Sequence, residues 1–304
     1  MTQLLNALPG ALAQGLIWGV LAIGVYITYK VLDIADLTVD GSICTGAAVC
    51  TMLLLGGQSP WLALLCAVLA GVLAGAVTGL LHVGLGIPPI LAGILTQMVL
   101  WSVNLKLLGK ANQALPARTT PVLLSQMDVG GALPVLLGFC VVLVALLVLF
   151  FSTELGCALR ATGCNPVMSR AQGVNTGLMK VVGLALSNGV VALSGALLCQ
   201  YQGYTDVNMG RGAVVIGLAA VVIGQAVLGR RGGRMAVQLG GVILGAVIYY
   251  IVYQVIIFAG FDTDLLKMFS AVVVAVFLGA PHVKAQLKAH SRSKKGDSGH
   301  AENE

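Results

Sequence analysis

Three aspartates follow one another closely in the stretch DIADLTVDGS (33–42), between two apolar segments: Asp33, Asp36 and Asp40. Carboxylates beside an interrupted apolar segment can hold a cation or a proton inside a membrane. They can also stabilise the N-terminus of the next helix, whose partial positive charge favours an anion. Hydropathy places this stretch near the cytoplasmic edge, where water can hydrate it. The sequence therefore favours a solvated or capping role, with an ion site as the alternative.

Uncharged polar residues inside apolar segments form a second group of candidates: Thr45, Gln97, Asn104, Ser187, Asn188 and Gln225. Polar groups cost free energy in hydrocarbon and usually face the bundle interior. Gln97 and Asn104 are two helical turns apart and so share a face. Helix-to-helix hydrogen bonds, about 0.6 kcal/mol each on average, are the alternative. Because four segments contribute, we predict that the group lines a translocation pathway together with Asp36 and Thr38.

The longest polar interruption, 153–180, still carries periodic apolar residues, which predicts one or two short amphipathic helices at the membrane surface. Asn165 is a candidate N-cap, and Pro166 suits the first helical position, where its missing N–H is not needed. Gly173 lies where such a helix would end. A short capped helix between two spanning segments indicates a contact surface.

The elements that must position these residues are membrane helices. Apolar residues make up 58% of the 304-residue chain, charged residues only 9%, and the mean hydropathy is +0.96, whereas soluble chains contain roughly 25% charged residues. The sequence predicts an all-α, polytopic membrane protein of about nine spanning helices. The predicted spans are 11–31, 41–57, 60–83, 87–108, 131–152, 177–200, 212–229, 235–259 and 265–281. The second span is short and follows the aspartates, so we expect it in the interior.

Lysine and arginine set the predicted orientation, because cytoplasmic loops carry their excess. An N-terminus outside and a C-terminus inside put Arg160, Arg170, Lys180 and the cluster at 230–234 on the cytoplasmic side. We predict a membrane domain over 1–283 and a disordered, basic and polar cytoplasmic tail over 284–304. The net charge of +6 arises from loops and tail, which argues against a nucleic-acid partner.

Other patterns exclude several kinds of chemistry. The seven cysteines lie mostly in apolar runs without metal-ligand spacing, so we predict no metal site. The four histidines form no helical metal pair, and GRRGGRM (229–235) lacks the Gly-Lys-Ser/Thr that binds a nucleotide. We expect no enzymatic activity. Glycines spaced four apart, at 71, 75 and 79 and at 241 and 245, predict close helix packing.

Three stretches carry a family resemblance. ATGCNPVMSRAQGVNT (161–176) resembles the cytoplasmic coupling loop of permeases in the branched-chain amino acid and ribose-type ABC importer superfamily. The stretch at 15–49 resembles the first conserved block of those permeases, and 88–109 resembles their fourth helix. The resemblance implies that the ATPase subunit docks on Arg160, Gly163, Asn165, Arg170, Ala171, Gly173, Val174 and Asn175.

The same resemblance implies the function and the partners. It implies a bacterial inner-membrane permease of a binding-protein-dependent importer for a small polar solute, foremost an amino acid, and it is closest to a branch linked to aromatic amino acids. A separate ATPase would use ATP and Mg²⁺, a periplasmic or lipoprotein binding protein would deliver the solute, and a second permease copy would complete a homodimer. This chain itself would need no cofactor. An ion-coupled transporter using Asp33, Asp36 or Asp40 is the alternative, and a channel or scaffold is another.

Overall fold

The structure, a computed structural model, describes residues 2–116, 120–228 and 234–258, together with the single positions 268, 272 and 275. Within these residues the chain is a bundle of helices with one small ribbon. The helices are α1 (Thr2–Tyr26), continued by a π-helical turn (Ile27–Val31), α2 (Val39–Leu55), α3 (Pro60–Gly84), α4 (Pro89–Leu108), α5 (Val129–Ser152), α6 (Glu154–Cys164), α7 (Pro166–Ala171), α8 (Thr176–Gln202), α9 (Ala213–Leu228) and α10 (Met235–Phe258). The strands are β1 (Asn112–Ala114) and β2 (Tyr204–Asp206).

Six of the described helices are long and apolar enough to cross a membrane: α1, α3, α4, α5, α8 and α10. The helices α2 and α9 are equally apolar but shorter. Eight predicted spans thus have a counterpart, and the polytopic helical fold is confirmed. The ninth span (265–281), the arginines at 230 and 231 and the tail (284–304) lie outside the described residues. The count of nine therefore stays a prediction.

Local signals set the helix ends. Ser59 caps α3, because its hydroxyl accepts a hydrogen bond from the backbone N–H of Leu62 and Pro60 occupies the first helical position. Gly109 and Gly203 end α4 and α8 in left-handed conformations, with φ values of 70° and 75°. Each donates its N–H to a carbonyl one turn earlier. Proline and glycine therefore mark these boundaries in the sequence itself.

The helix α8 is central and packs against α1, α2 and α3. Along α3, the glycines predicted to mediate packing lie directly on the α8 backbone: Gly71 against Asn188, Gly75 against Leu184 and Gly79 against Val181. In the same way Gly245 of α10 lies against the Ala220 carbonyl of α9. Lipid provides no hydrophobic drive for helix association, so this close approach of backbones carries the packing. The predicted role of these glycines is confirmed.

The two shorter helices begin in the middle of the bundle. With 17 and 16 residues, α2 and α9 are only about 24–26 Å long, less than the roughly 30 Å of a hydrocarbon core. Ser42, in the first turn of α2, bonds to Asn188, the thirteenth of the 27 residues of α8. Asp40 beside it bonds to the start of α9. The N-termini of these two shorter helices therefore meet at mid-bundle, and the expected interior position of the second span is confirmed.

The segments 109–129 and 201–211, which connect predicted spans, are partly ordered against each other. Antiparallel pairing joins Asn112 to Asp206 and Ala114 to Tyr204. Leu115 and Leu124 are buried. Pairing between stretches so distant in sequence leaves no local periodic signal.

Candidate functional site

A buried polar cluster lies where α2 begins. Asp36 is 5% exposed. Its carboxylate accepts the Thr38 backbone N–H at 2.9 Å and the Asn188 side-chain amide at 2.7 Å. The Ser42 hydroxyl donates to the Asn188 carbonyl oxygen at 2.6 Å. Asn188 thus joins the loop before α2, the first turn of α2 and the middle of α8.

The expected location of the aspartates at a hydrated edge is wrong for Asp36. The chain reverses after the π-helical turn, with Asp33 at a φ of 55°, and residues 32–38 return into the bundle. Asp33 itself is exposed. Asp40 is half-buried, and its two carboxylate oxygens accept the backbone N–H groups of Gly212 and Val214, both at 3.0 Å. Asp40 therefore caps α9, not the helix in which it lies.

A chain of three buried hydroxyls continues from this cluster. Thr96 donates to the carbonyl of Ala92, so it accepts from Thr78 at 2.9 Å. With its proton committed, Thr78 accepts from Thr38 at 2.8 Å. Each hydroxyl has a single proton to donate, so the hydrogen bonds all run in one direction, from Thr38 through Thr78 to Thr96. It connects the start of α2 to α3 and α4.

A pocket of about 510 Å³ lies between α2, α4 and the segment leading into α9. Its polar and aromatic lining includes Asp40, Gln97, Trp101, Ser102, Asn104 and Arg211. Asn104 is fully buried, and neither its amide nitrogen nor its oxygen has a hydrogen-bond partner. Such a group in a native structure requires an explanation, such as strain, a functional role or a bound water or ion. Gln97 and Asn104, predicted to share a face, both line this pocket.

The remaining predicted pathway residues are not gathered there. Ser187 donates to the Gly24 carbonyl of α1 at 2.8 Å, and Thr45 donates to the Gly41 carbonyl of its own helix. The Ser187 bond matches the alternative of helix-to-helix hydrogen bonding, whereas the Thr45 bond stays within α2. Gln225 lies exposed on α9, outside the residues that line the pocket. The structure therefore divides the predicted set into a buried cluster, a pocket and isolated positions.

The segment between α5 and α8 forms two short helices, as predicted. The Asn165 side chain caps α7 by accepting the Met168 N–H at 3.0 Å, and Pro166 is the first helical residue. Gly173 follows the helix with a φ of 84°. Asn175 caps α8 by accepting the Leu178 N–H at 3.1 Å. The end of α7 and the start of α8 are thus fixed by neighbouring turns.

An apolar tip projects from this segment, because Val167 and Met168 are 80% and 60% exposed. Ala171, Gly173 and Asn175 are exposed beside them, and Val174 is half-buried. Other residues of the implied docking set bind within the chain instead. Arg160 donates to the Phe151 carbonyl at 3.1 Å and Arg170 to the Thr176 hydroxyl at 3.0 Å.

Gly163, also implied as a docking residue, lies directly on the Val31 carbonyl of the π-helical turn. This contact leaves no room for a side chain at 163 and serves the packing of α6. The guanidinium groups of Arg160 and Arg170 hold the segment to the bundle, and both residues remain exposed.

Comparison with known proteins connects this geometry to a family. A family model described as branched-chain amino acid transport system / permease component matches residues 8–280. The chain belongs to this family. It is a permease of the ABC importer superfamily and a multi-pass protein of the bacterial inner membrane. Members of this family are transport components.

Individual relatives agree with this family. The tyrosine transport system permease protein of Clostridioides difficile (strain R20291) is 37% identical over 287 residues, which cover 93% of this permease and 94% of the relative. The autoinducer 2 import system permease protein LsrC of Escherichia coli (strain K12 / DH10B) is 30% identical over 200 residues, 62% of this permease and 55% of the relative. No solved structure matches.

Sequence reasoning missed several residues of this permease. Ser42, Thr78 and Thr96 bond across helices, and their only signal is a hydroxyl in an apolar helix. Trp101 gave no signal, since an aromatic residue in a membrane helix is ordinary. Arg211 lies between two predicted spans, and nothing local shows that the chain after β2 returns to mid-bundle.

Proposed function

We propose that this permease forms the membrane pathway of an ATP-driven importer for an amino acid, with nine spans, its N-terminus outside and its C-terminus in the cytoplasm. Family membership and the similarity to a tyrosine transport permease support the transport of a small solute of this class. Coupling to an ATPase is supported by the exposed apolar tip of α7, formed by Val167 and Met168. The segment that carries this tip is bonded to the bundle on both sides.

The ATPase subunit docks on this tip and on the surrounding exposed residues Asn165, Ala171, Gly173, Val174 and Asn175. Exposed apolar groups beside polar ones are typical of a protein interface. Force applied to α7 reaches α8 directly, because Arg170 bonds to Thr176, the first residue of α8. Arg160 holds α6 to Phe151 at the end of α5, and Gly163 packs α6 against Val31 of the π-helical turn.

Along α8, displacement reaches the bundle centre. Asn188 holds both Asp36 and Ser42, so a shift of α8 moves the loop before α2 and the N-terminus of α2 with it. Asp40 transmits the shift to α9 through its two backbone bonds. A rigid helix with hydrogen-bonded ends is a physical connection of the kind that carries coupling between sites.

The partners complete the importer. The ATPase binds and hydrolyses ATP with Mg²⁺, and this chain needs no cofactor of its own. A solute-binding protein delivers the substrate to the face that carries the β-ribbon. A second copy of the permease completes a homodimer, with the pathway between the copies and alternating access by rigid-body movement. Genes for an ATPase and a secreted binding protein next to this permease would support the assembly, and their absence would count against it.

The docking surface can be tested with a matched pair of methionine variants. Met168→Ser combined with Val167→Ser should weaken binding of the neighbouring ATPase in pull-down from detergent and lower substrate-stimulated ATP hydrolysis in proteoliposomes. Met127→Ser removes a methionine outside this segment that is even more exposed, 80% against 60% for Met168, and it should change neither. If the double variant binds ATPase and stimulates hydrolysis like the unaltered permease, the docking assignment is wrong.

A further inference from the structure

The pocket between α2, α4 and the start of α9 has the composition of a small-molecule site. Its volume of about 510 Å³ falls within the roughly 300–1,000 Å³ usual for such sites. Its walls are mostly apolar, including Ile94, Met98 and Trp101, and a few polar groups converge on it. Asn104 provides the independent sign of a ligand, because its buried amide has neither a donor nor an acceptor partner.

The charges of the pocket come as one pair of opposite sign. Asp40 lies in the first turn of α2, and Arg211 lies two residues before α9. Within the described part of the chain, neither forms an ion pair with the other or with any other side chain. Each Asp40 oxygen accepts one backbone N–H, which leaves acceptor capacity for a further donor. An amino acid zwitterion carries the two complementary charges.

The start of α9 cannot itself bind the carboxylate of a substrate, because Asp40 already occupies the N–H groups of Gly212 and Val214. Arg211 is therefore the group in the pocket that can pair with an anion, and a guanidinium can bind a carboxylate through two parallel hydrogen bonds. Asp40 is the group that can accept from an ammonium.

We infer that this pocket binds the transported solute as a zwitterionic α-amino acid, with Arg211 on its carboxylate, Asp40 on its ammonium and Trp101 on its side chain. The amide of Asn104, which has no exposed surface in the structure, is uncovered on binding and meets the tip of that side chain. The inference rests on the proposed function and specifies its substrate site. Asn104 offers both a donor and an acceptor, so a hydroxyl or amide at the tip of the side chain is favoured over a purely apolar one. Asp40 belongs to α2 and Arg211 lies just before α9, so one bound zwitterion connects the starts of these two shorter helices.

The test begins with the complete system in proteoliposomes, with L-tyrosine as the labelled probe and other L-amino acids in parallel. Direct binding to the purified permease–ATPase complex, without the binding protein, then isolates the selectivity of this pocket. Three competitors each lack one group: tyramine lacks the carboxylate, 3-(4-hydroxyphenyl)propionate lacks the ammonium, and L-phenylalanine lacks the hydroxyl.

The Arg211 and Asp40 variants should lose selectivity for different groups of the ligand. Arg211→Gln should weaken L-tyrosine binding about 10- to 100-fold and abolish the preference over tyramine, while keeping the preference over the propionate. Asp40→Asn retains a side chain that can cap α9 and should show the reverse selectivity. Lys110→Gln, which removes an exposed charge near β1, should change neither. A general loss of folding would lower all affinities alike.

Asn104→Leu gives a second, independent readout. Removing a buried amide without partners should raise the thermal midpoint of the permease, and it should also reduce the preference for L-tyrosine over L-phenylalanine. If amino acid uptake occurs but the Arg211 and Asp40 variants keep the original selectivity, the pocket assignment is wrong and the proposed function stands. If the complete system takes up a solute without zwitterionic charge, the inference also fails. If it shows no ATP-dependent uptake at all, the proposed function itself fails.

Discussion

Replacing Asn188 with alanine is expected to destabilise this permease far more than the loss of an ordinary hydrogen bond between membrane helices. The Asn188 amide donates to the Asp36 carboxylate at 2.7 Å and accepts from the Ser42 hydroxyl at 2.6 Å. All three residues are buried. Alanine at 188 leaves both partners without these bonds in a part of the bundle that water does not reach.

The two bonds differ in magnitude. A neutral interhelical bond such as that from Ser42 contributes about 0.6 kcal/mol on average, because the unfolded chain in the membrane also finds partners. With Asp36 ionised, the bond from Asn188 to its carboxylate contributes about 1.5–3 kcal/mol. The sum predicts that Asn188→Ala lowers the free energy of unfolding by roughly 2–4 kcal/mol. The adjacent Ser187→Ala removes a single neutral bond to Gly24 and should cost about 0.6 kcal/mol.

Buried thiols supply the assay, because a thiol-reactive fluorophore labels them only on unfolding. They are Cys44, Cys50, Cys140 and Cys199. Changing the exposed Cys157 and Cys164 and the partly exposed Cys66 to alanine removes their labelling. Denaturant titration of both variants in bicelles is then compared with the same pair in an Asp36→Asn background, where Asn188→Ala should cost about 1 kcal/mol or less. Equal losses for Ser187→Ala and Asn188→Ala, or a loss that does not depend on Asp36, would refute the reasoning.

Three further expectations follow from single contacts. Gly46→Ala should prevent stable folding, judged by gel filtration, because the new methyl group collides with the α8 backbone, whereas Gly84→Ala meets no atom within 4 Å and should fold normally. Thr78→Val, which breaks the chain of hydroxyls in two places, should lower the free energy of unfolding by about 1 kcal/mol; no change would show that the chain does not stabilise the fold. Val167→Ser should leave the thermal midpoint unchanged because the side chain is exposed, and a marked fall would show that it packs within the bundle.

The sequence predicted the helices well because the residues that begin and end each helix are neighbours in the sequence. Pro60 and Pro89 begin α3 and α4, and Gly109 and Gly203 end α4 and α8. The cap at Asn165 is likewise readable from a few neighbouring residues. Such signals do not depend on where the helices lie relative to one another.

The depth in the bundle at which each helix begins could not be predicted in the same way. Counting segments assumes that each begins at a membrane surface, and α2 and α9 instead begin at mid-bundle. That assumption moved Asp36 to a hydrated edge. The bonds of Asp36 to Asn188 and of Asp40 to Gly212 span 152 and 172 residues, and no local pattern records them. Of the pocket, only Gln97 and Asn104 could be paired, because both lie on one helix.

The long sequence separation between Asp36 and Asn188 also affects how the protein is made. The ribosome synthesises 152 further residues after Asp36 before its partner exists, which takes roughly 8–30 s at about 5–20 residues per second. Throughout that interval the nascent chain carries a carboxylate between apolar segments without the amide that will satisfy it. We expect the early helices to be retained beside the insertion machinery until α8 emerges, so that a chain arrested before α8 is recognised and degraded.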